Sequence, residues 1–183
     1  MKKNVITQDF LREIAPQASL ASDEDIEDIK IQLGRVPRGL VGIAARCACG
    51  SPAVTITLPR LDDGSPFPTL FYLTLPSLVK EISRLEAAGY MVDMNERLVN
   101  DEDVQKEYEK AHHEYIRRRN LLGEVEEISN VSAGGMPKRV KCLHALAGYA
   151  LAAGNGVCAL GDEALERIDY NANKCMCTHK GRA

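Results

Sequence analysis

The sequence predicts an α+β fold in which a small antiparallel β-meander of about three strands packs with five or six helices, one of them central and buried. Short runs rich in β-branched and aromatic residues, separated by Gly and Pro, are confined to residues 41–74. Helical apolar periodicity dominates from residue 76 onwards. Strands and helices therefore occupy separate stretches of the chain and do not alternate as they would in a doubly wound sheet.

One helix is predicted ahead of the strands. Ser22 is a typical N-cap, and Asp25 three residues later completes a capping box. Apolar residues recur at helical spacing up to Gly34, where the helix ends. The acidic residues of its first turn complement the positive end of the helix dipole, which explains them better than a metal site does.

Three strands are predicted next, over residues 41–47, 53–58 and 69–74. Gly and Pro mark the two turns between them, at residues 49–52 and 62–66. A meander of this size needs helices on one face to be stable, which the rest of the chain can supply.

The remaining helices are predicted over residues 76–88, 100–119, 137–153 and 162–168. Pro137 suits the first position of the third of these, because its missing N–H would have no partner there. That helix is apolar nearly all round after its first turn, so we expect it to be the central, buried one.

Length and composition predict one soluble domain. The 183 residues form a chain long enough for a single core, predicted over residues 1–183 with flexible ends at 1–20 and 170–183. The formal net charge of −3 indicates no general attraction to nucleic acid. No apolar run approaches the ~20 residues that span a bilayer, so no membrane association is predicted.

The N-terminal segment predicts a cytoplasmic protein. Asp9, Arg12 and Glu13 interrupt the apolar stretch that a signal peptide would need. In the cytoplasm the six cysteines should stay reduced, as thiols or metal ligands. Export would instead permit three disulfide bonds, which we rank lower.

The cysteines predict a thiolate zinc site. Cys47 and Cys49 leave a strand for a turn, where Gly50 lets the backbone bend around an ion. Cys142 would be the third ligand and a residue of the tail the fourth, although C-x-C is a less usual spacing than C-x₂₋₄-C. The candidates for the fourth ligand are Cys175, Cys177 and His179.

Two alternatives to this zinc site stay open. An iron–sulfur cluster would use the same thiolates. In the other alternative, Cys142 and Cys158 are small buried hydrophobic residues. Inside one helix Cys142 and His144 would lie about 200° apart, so the sequence predicts that they do not bind the same ion.

A glycine-rich segment predicts an anion site at the start of the helix expected from Pro137. Unpaired N–H groups at a helix N-terminus attract anions, and basic side chains would add charge. An ordinary loop with solvated basic residues is the alternative. The predicted anion-binding residues are Ser132, Gly134, Gly135, Lys138, Arg139 and Lys141.

Two histidines are candidates for proton transfer. His144 follows Lys141 by one turn on the predicted buried helix, and His112 lies beside the apolar stripe of the long helix. Imidazole titrates near neutral pH, which suits an acid or base. Packed, hydrogen-bonded histidines are the alternative for both.

Several segments resemble a bacterial family catalogued as domain of unknown function 501. They are residues 32–35 (QLGR), 46–52 (RCACGSP), 66–74 (PFPTLFYLT), 111–112 (AH), 132–144 (SAGGMPKRVKCLH) and 161–164 (GDEA). The resemblance covers roughly residues 28–168. It implies a bacterial cytoplasmic protein, commonly encoded near cell-division and polyphosphate-hydrolysis genes, and it implies no established activity.

Three functions follow as hypotheses. The first is a protein that binds a small phosphorylated or carboxylated ligand beside a zinc site. The second is a non-catalytic module that binds a protein partner in cell division or polyphosphate metabolism, which depends on the family resemblance. The third is a phosphoester hydrolase that uses metal-activated water.

Overall fold

The computed structural model describes residues 6–177. Within them the α+β fold is confirmed, with seven α-helices where five or six were predicted and four strands where about three were predicted. The helices are α1 (Gln8–Ile14), α2 (Asp23–Leu33), α3 (Pro76–Ala87), α4 (Tyr90–Asn100), α5 (Glu102–Asn120), α6 (Leu143–Ala153) and α7 (Ala159–Arg167). The strands are β1 (Ser19–Leu20), β2 (Leu40–Arg46), β3 (Pro52–Thr57) and β4 (Phe71–Leu73).

The four strands form one antiparallel sheet in the order β1-β2-β3-β4. The three predicted strands are its last three. Every residue of β3 is buried, which identifies it as the strand covered on both faces. No helix within residues 6–177 has the length and apolar character that crossing a membrane requires.

Two elements precede the helix that the sequence predicts at Ser22. In α1, Leu11 and Ile14 are fully buried, and Thr7 caps the helix by accepting a bond from the Phe10 N–H. A Cβ at Gly42 would lie 2.7 Å from the Ser19 carbonyl oxygen and 2.6 Å from a Leu11 methyl, so β1 can lie this close to β2 only because that position is glycine. Residues 8–20 thus include α1 and β1. The domain boundaries and the flexibility of both ends, 1–20 and 170–183, stay predictions.

The caps predicted for two helices are confirmed. Ser22 and Asp25 form both bonds of the capping box at α2, and Pro76 is the first residue of α3. Gly89 follows Ala88, the C-cap of α3, and is the N-cap of α4, a helix that the sequence analysis did not predict. Its left-handed φ of 80° turns the chain between the two helices with no loop.

The helix predicted to begin at Pro137 begins six residues later, at Leu143, so that prediction is wrong. Gly134 and Gly135 have left-handed φ angles of 65° and 95°, and the chain folds back on itself. The Gly134 carbonyl accepts from the N–H groups of Lys141 and Cys142. In a helix that began at Pro137, these N–H groups would instead donate to the carbonyls four residues earlier in the chain. The helix itself is central and buried, as predicted.

The core lies between the sheet and α6. Phe71 of β4 stacks on Tyr149 of α6, and Tyr115 of α5 meets both rings edge-on. Arg119, at the end of α5, is 1% exposed and donates to the carbonyl of Ile128 at 2.6 Å. The last arginine of α5 therefore ties a following loop to the core and does not face solvent.

Candidate metal centre

The turn between β2 and β3 presents the first two cysteines. Cys47 follows the last residue of β2, and its N–H donates to the Ser51 carbonyl at 2.9 Å. The Gly50 N–H closes the turn on the Cys47 carbonyl at 2.8 Å, with a left-handed φ of 91° at Gly50. Cys47 is buried and Cys49 is exposed, so the pair lies at the edge of the core.

Arg46 fixes this turn in place. Its guanidinium forms two bonds to the Asp25 carboxylate, at 2.6 and 2.9 Å, and donates to the Gly50 carbonyl at 3.0 Å. The bond from Arg46 lowers the pKa of Asp25 to about 2. Because α2 and the turn share this ion pair, the backbone around the two cysteines is held by contacts that need no metal.

The segment after α7, residues 170–177, brings the second pair of cysteines to the turn. Tyr170 and Met176 pack against the core, and the Met176 N–H donates to the Cys47 sulfur at 3.2 Å. Cys175 and Cys177 flank that residue. The second C-x-C pair thus lies against the first, although the two pairs are 128 residues apart in the sequence.

The sulfur atoms of Cys47, Cys49, Cys175 and Cys177 all lie within 4.8 Å of one another. Cys47 and Cys175 are 3.8 Å apart, and Cys49 and Cys177 are 3.3 Å apart. A disulfide needs about 2.05 Å, and all four cysteines are free. A tetrahedral zinc–thiolate site with bonds of about 2.3 Å has sulfur–sulfur edges of about 3.8 Å, so the group can hold Zn²⁺.

The pKa values of Cys49 and Cys177 are shifted in opposite directions. Hydrogen bonds from Ser51 lower the pKa of Cys49 to about 6, and the neighbouring thiols of the segment after α7 add to that effect. Burial raises the pKa of Cys177. In the protein without metal, Cys49 therefore loses its proton more readily than Cys177 does.

Cys142 belongs to a different group, so the predicted set of Cys47, Cys49 and Cys142 is corrected. Its sulfur lies within 4.8 Å of ligand atoms of Glu86 and His144. Cys142 is the N-cap of α6 and not an interior helical residue, which is why it can converge with His144. The predicted separation of about 200° assumed a helix that had already begun at Pro137.

His144 is held between α3 and α6. Its Nε2 lies 3.1 Å from the Val79 carbonyl and 3.0 Å from Ser83 Oγ, and its Nδ1 lies 3.2 Å from Glu86 Oε1. The interaction with Cys142 raises the pKa of His144 to about 9, and the Glu86 charge adds to it. The same interaction with His144 lowers the pKa of Cys142.

The predicted anion-binding residues occupy a loop and not a helix N-terminus. Ser132 is buried, and Gly134 and Gly135 use their carbonyls to close the loop. The basic side chains of this loop, Lys138, Arg139 and Lys141, are exposed. The backbone feature expected to attract an anion is thus missing, and anion binding itself stays a prediction.

Two residues fit the packing alternatives. His112 is buried, with Nδ1 2.7 Å from Ser132 Oγ, and burial lowers its pKa. Cys158 is fully buried, and its burial raises the pKa to about 12. A catalytic role for His112 or His144 stays a prediction, and His179 lies outside the described residues.

The sequence contains one signal for the four-cysteine group, namely two cysteine pairs of equal spacing. Cys47-x-Cys49 and Cys175-x-Cys177 have the same spacing, and two matched pairs are typical of a four-thiolate site. Glu86 was missed altogether, since nothing in the sequence distinguishes it from the other glutamates of its helix.

The family model described as "Protein of unknown function (DUF501)" matches residues 43–166. No curated protein and no solved structure matches the chain. The matched range contains Cys47, Cys49 and the complete Glu86–Cys142–His144 group, whereas Cys175 and Cys177 lie beyond it.

Proposed function

The chain belongs to the family of proteins of unknown function DUF501, and from that premise we propose that it is a zinc-binding protein. The metal binds the four cysteines Cys47, Cys49, Cys175 and Cys177. It fastens the segment after α7 to the turn between β2 and β3. One observation carries the proposal, namely that four sulfur atoms from distant parts of the chain lie within 4.8 Å of one another.

The donor set supports zinc over other metals. Thiolates are soft ligands that suit zinc and iron–sulfur clusters and do not suit magnesium or calcium. The 3.8 Å between the sulfurs of Cys47 and Cys175 equals the edge of a zinc–thiolate tetrahedron, and the 3.3 Å between those of Cys49 and Cys177 is about 0.5 Å shorter than that edge. An iron–sulfur cluster with several iron atoms would hold its cysteines farther apart.

The site is structural in type. All four positions of a tetrahedral ion are filled by protein, which leaves none for water or substrate. What the metal contributes is the position of a segment that has no regular secondary structure from Tyr170 to Cys177. One ion would then link the turn between β2 and β3 to the segment after α7.

The test is the zinc content of purified protein under reducing conditions. A double variant, Cys175→Ser with Cys177→Ser, should hold one zinc ion fewer per chain than the parent. Cys158→Ala is the matched control, because that cysteine lies in neither group, and its zinc content should equal the parent's. Circular dichroism checks that the helices remain.

Two results would overturn the proposal. One is equal zinc content in the double variant and the parent. The other is protein, purified without exposure to oxidant, whose mass without reductant shows Cys47 bonded to Cys175 or Cys49 bonded to Cys177.

A further inference from the structure

We propose that Glu86, Cys142 and His144 form a second zinc site, which has three protein ligands and one open coordination position. This site is separate from the four-cysteine centre and does not depend on it. The open position takes water or a small anion such as a carboxylate or phosphate.

The three ligands come from two packed helices. Glu86 lies in the last turn of α3, Cys142 is the N-cap of α6, and His144 lies in the first turn of α6. One ligand atom of each lies within 4.8 Å of the other two. Oxygen, sulfur and nitrogen donors of this kind are the usual ligands of zinc in proteins.

Neighbouring groups orient His144 as a ligand. A carbonyl only accepts hydrogen bonds, so Nε2, at 3.1 Å from the Val79 oxygen, carries a proton. Nδ1 then faces Glu86 and is the nitrogen that a metal ion would bind. Zinc-bound histidines almost always donate their other ring N–H to a carbonyl or carboxylate in this way.

Glu86 is oriented as well. Its Oε1 accepts from the Leu143 N–H at 2.7 Å, which fixes the carboxylate at the start of α6. Ser83 Oγ donates to the Val79 carbonyl at 2.7 Å and also lies 3.0 Å from His144 Nε2. The three ligands are thus placed by the packing of α3 on α6 before any ion binds.

The exposure of the group indicates an open site. The side chains of Glu86 and His144 are 24% and 25% exposed, so a fourth ligand can reach an ion from solvent. Three protein ligands with a free position are typical of catalytic zinc sites, where the ion makes bound water more acidic. Lys141, next to Cys142 in sequence and exposed, adds positive charge that favours an anionic ligand.

The experiment isolates this site by using the full-length Cys175→Ser/Cys177→Ser double variant as the background. Zinc is titrated against a chromophoric chelator under reducing conditions. We expect one zinc ion per chain in this background. Adding Cys142→Ser or His144→Ala should weaken binding by at least about tenfold, since each removes a ligand.

The controls separate ligand loss from unfolding. His113→Ala and Cys158→Ala, in the same background, should leave the titration unchanged, because neither residue belongs to the group. Glu86→Gln keeps an oxygen that can accept from the Leu143 N–H but removes the negative charge, so it should weaken zinc binding while the helices remain. Cobalt substitution should give a thiolate charge-transfer band that Cys142→Ser abolishes.

Two outcomes would overturn the inference. One is a double variant that binds no zinc. The other is zinc binding that stays equal in the background and after Cys142→Ser or His144→Ala. Because the background lacks two of the four cysteines, neither outcome bears on the four-cysteine centre.

Discussion

The two groups that we propose as metal sites are built in opposite ways. The four-cysteine group joins a β-turn to a segment without regular secondary structure, and Cys49 and Cys175 are exposed. The Glu86–Cys142–His144 group lies between α3 and α6, and α6 is the most buried helix of the fold. In the first group a metal would hold the chain in place, whereas in the second the packed chain holds the ligands in place.

This difference determines what each group can do. A closed site made by folding the chain around an ion contributes stability, because binding and ordering of the segment are the same event. A site whose ligands are already fixed loses little freedom on binding and can leave a coordination position for another molecule. The comparison therefore predicts that metal removal disorders only one of the two groups.

The largest expected effect is that of metal removal on the segment after α7. A strong chelator at neutral pH should abolish hydrogen-exchange protection at Met176, whose N–H bonds to the Cys47 sulfur, while amides of α6 stay protected. The four-cysteine site should account for about 4 kcal/mol of the fall in the free energy of unfolding if free zinc was ~1,000 times the Kd of that site. Loss of protection in α6 as well would contradict the comparison.

A smaller effect is expected at the loop that precedes the second group. Asn95 of α4 donates to the Val140 carbonyl at 2.9 Å and accepts from the Val140 N–H at 2.8 Å. Asn95→Ala should lower the free energy of unfolding by about 2 to 3 kcal/mol, since both backbone groups of buried Val140 lose their partner.

Denaturant unfolding and the zinc titration check this prediction. The affinity of the second group should fall, because Val140 positions Cys142, and the four-cysteine group should keep its zinc. Asn100→Ala removes a similar amide that bonds only within its own exposed helix end, and it should change stability little. Equal effects of the two variants would contradict a role for Asn95 in placing Cys142.

The smallest effect is expected at the ion pair that holds the four-cysteine turn. The pKa of Asp25 is lowered to about 2 from its ordinary 3.8, so the pair stabilises the fold above about pH 4. That stabilisation is lost as the pH falls from about 4 to 2. Asp25→Asn should be less stable than the parent by roughly 1 to 2 kcal/mol at pH 6, with Arg46 partly exposed to solvent.

Unfolding measured between pH 2 and 6 tests this ion pair. The difference between parent and Asp25→Asn should shrink towards acid pH, because Asp25 becomes protonated in the parent. A difference that stays constant over this range would show that the pair does not act through charge. Lys30→Ala, which breaks an exposed pair within α2, is the control and should change stability by less than about 0.5 kcal/mol.

Local signals in the sequence accounted for most of the elements. The capping box at Ser22, Pro76 at the start of α3 and the alternation of strands with Gly and Pro turns each depend on residues close in the chain. The prediction of a helix from Pro137 was wrong because it, too, depended only on residues close in the chain. A proline fits a first helical turn, but the left-handed glycines before it and the bonds back to Gly134 hold a loop there.

The sequence by itself determined the fold class, the buried character of α6 and the presence of cysteines able to bind metal. Only the tertiary structure decided which cysteines meet. The sulfur of Cys47 lies close to that of Cys175, which is 128 residues away in sequence, and Cys142 lies close to a glutamate on another helix. Residue type and local spacing fix the chemistry a side chain can perform, whereas its partners depend on how separate elements pack, and no short stretch of sequence contains that information.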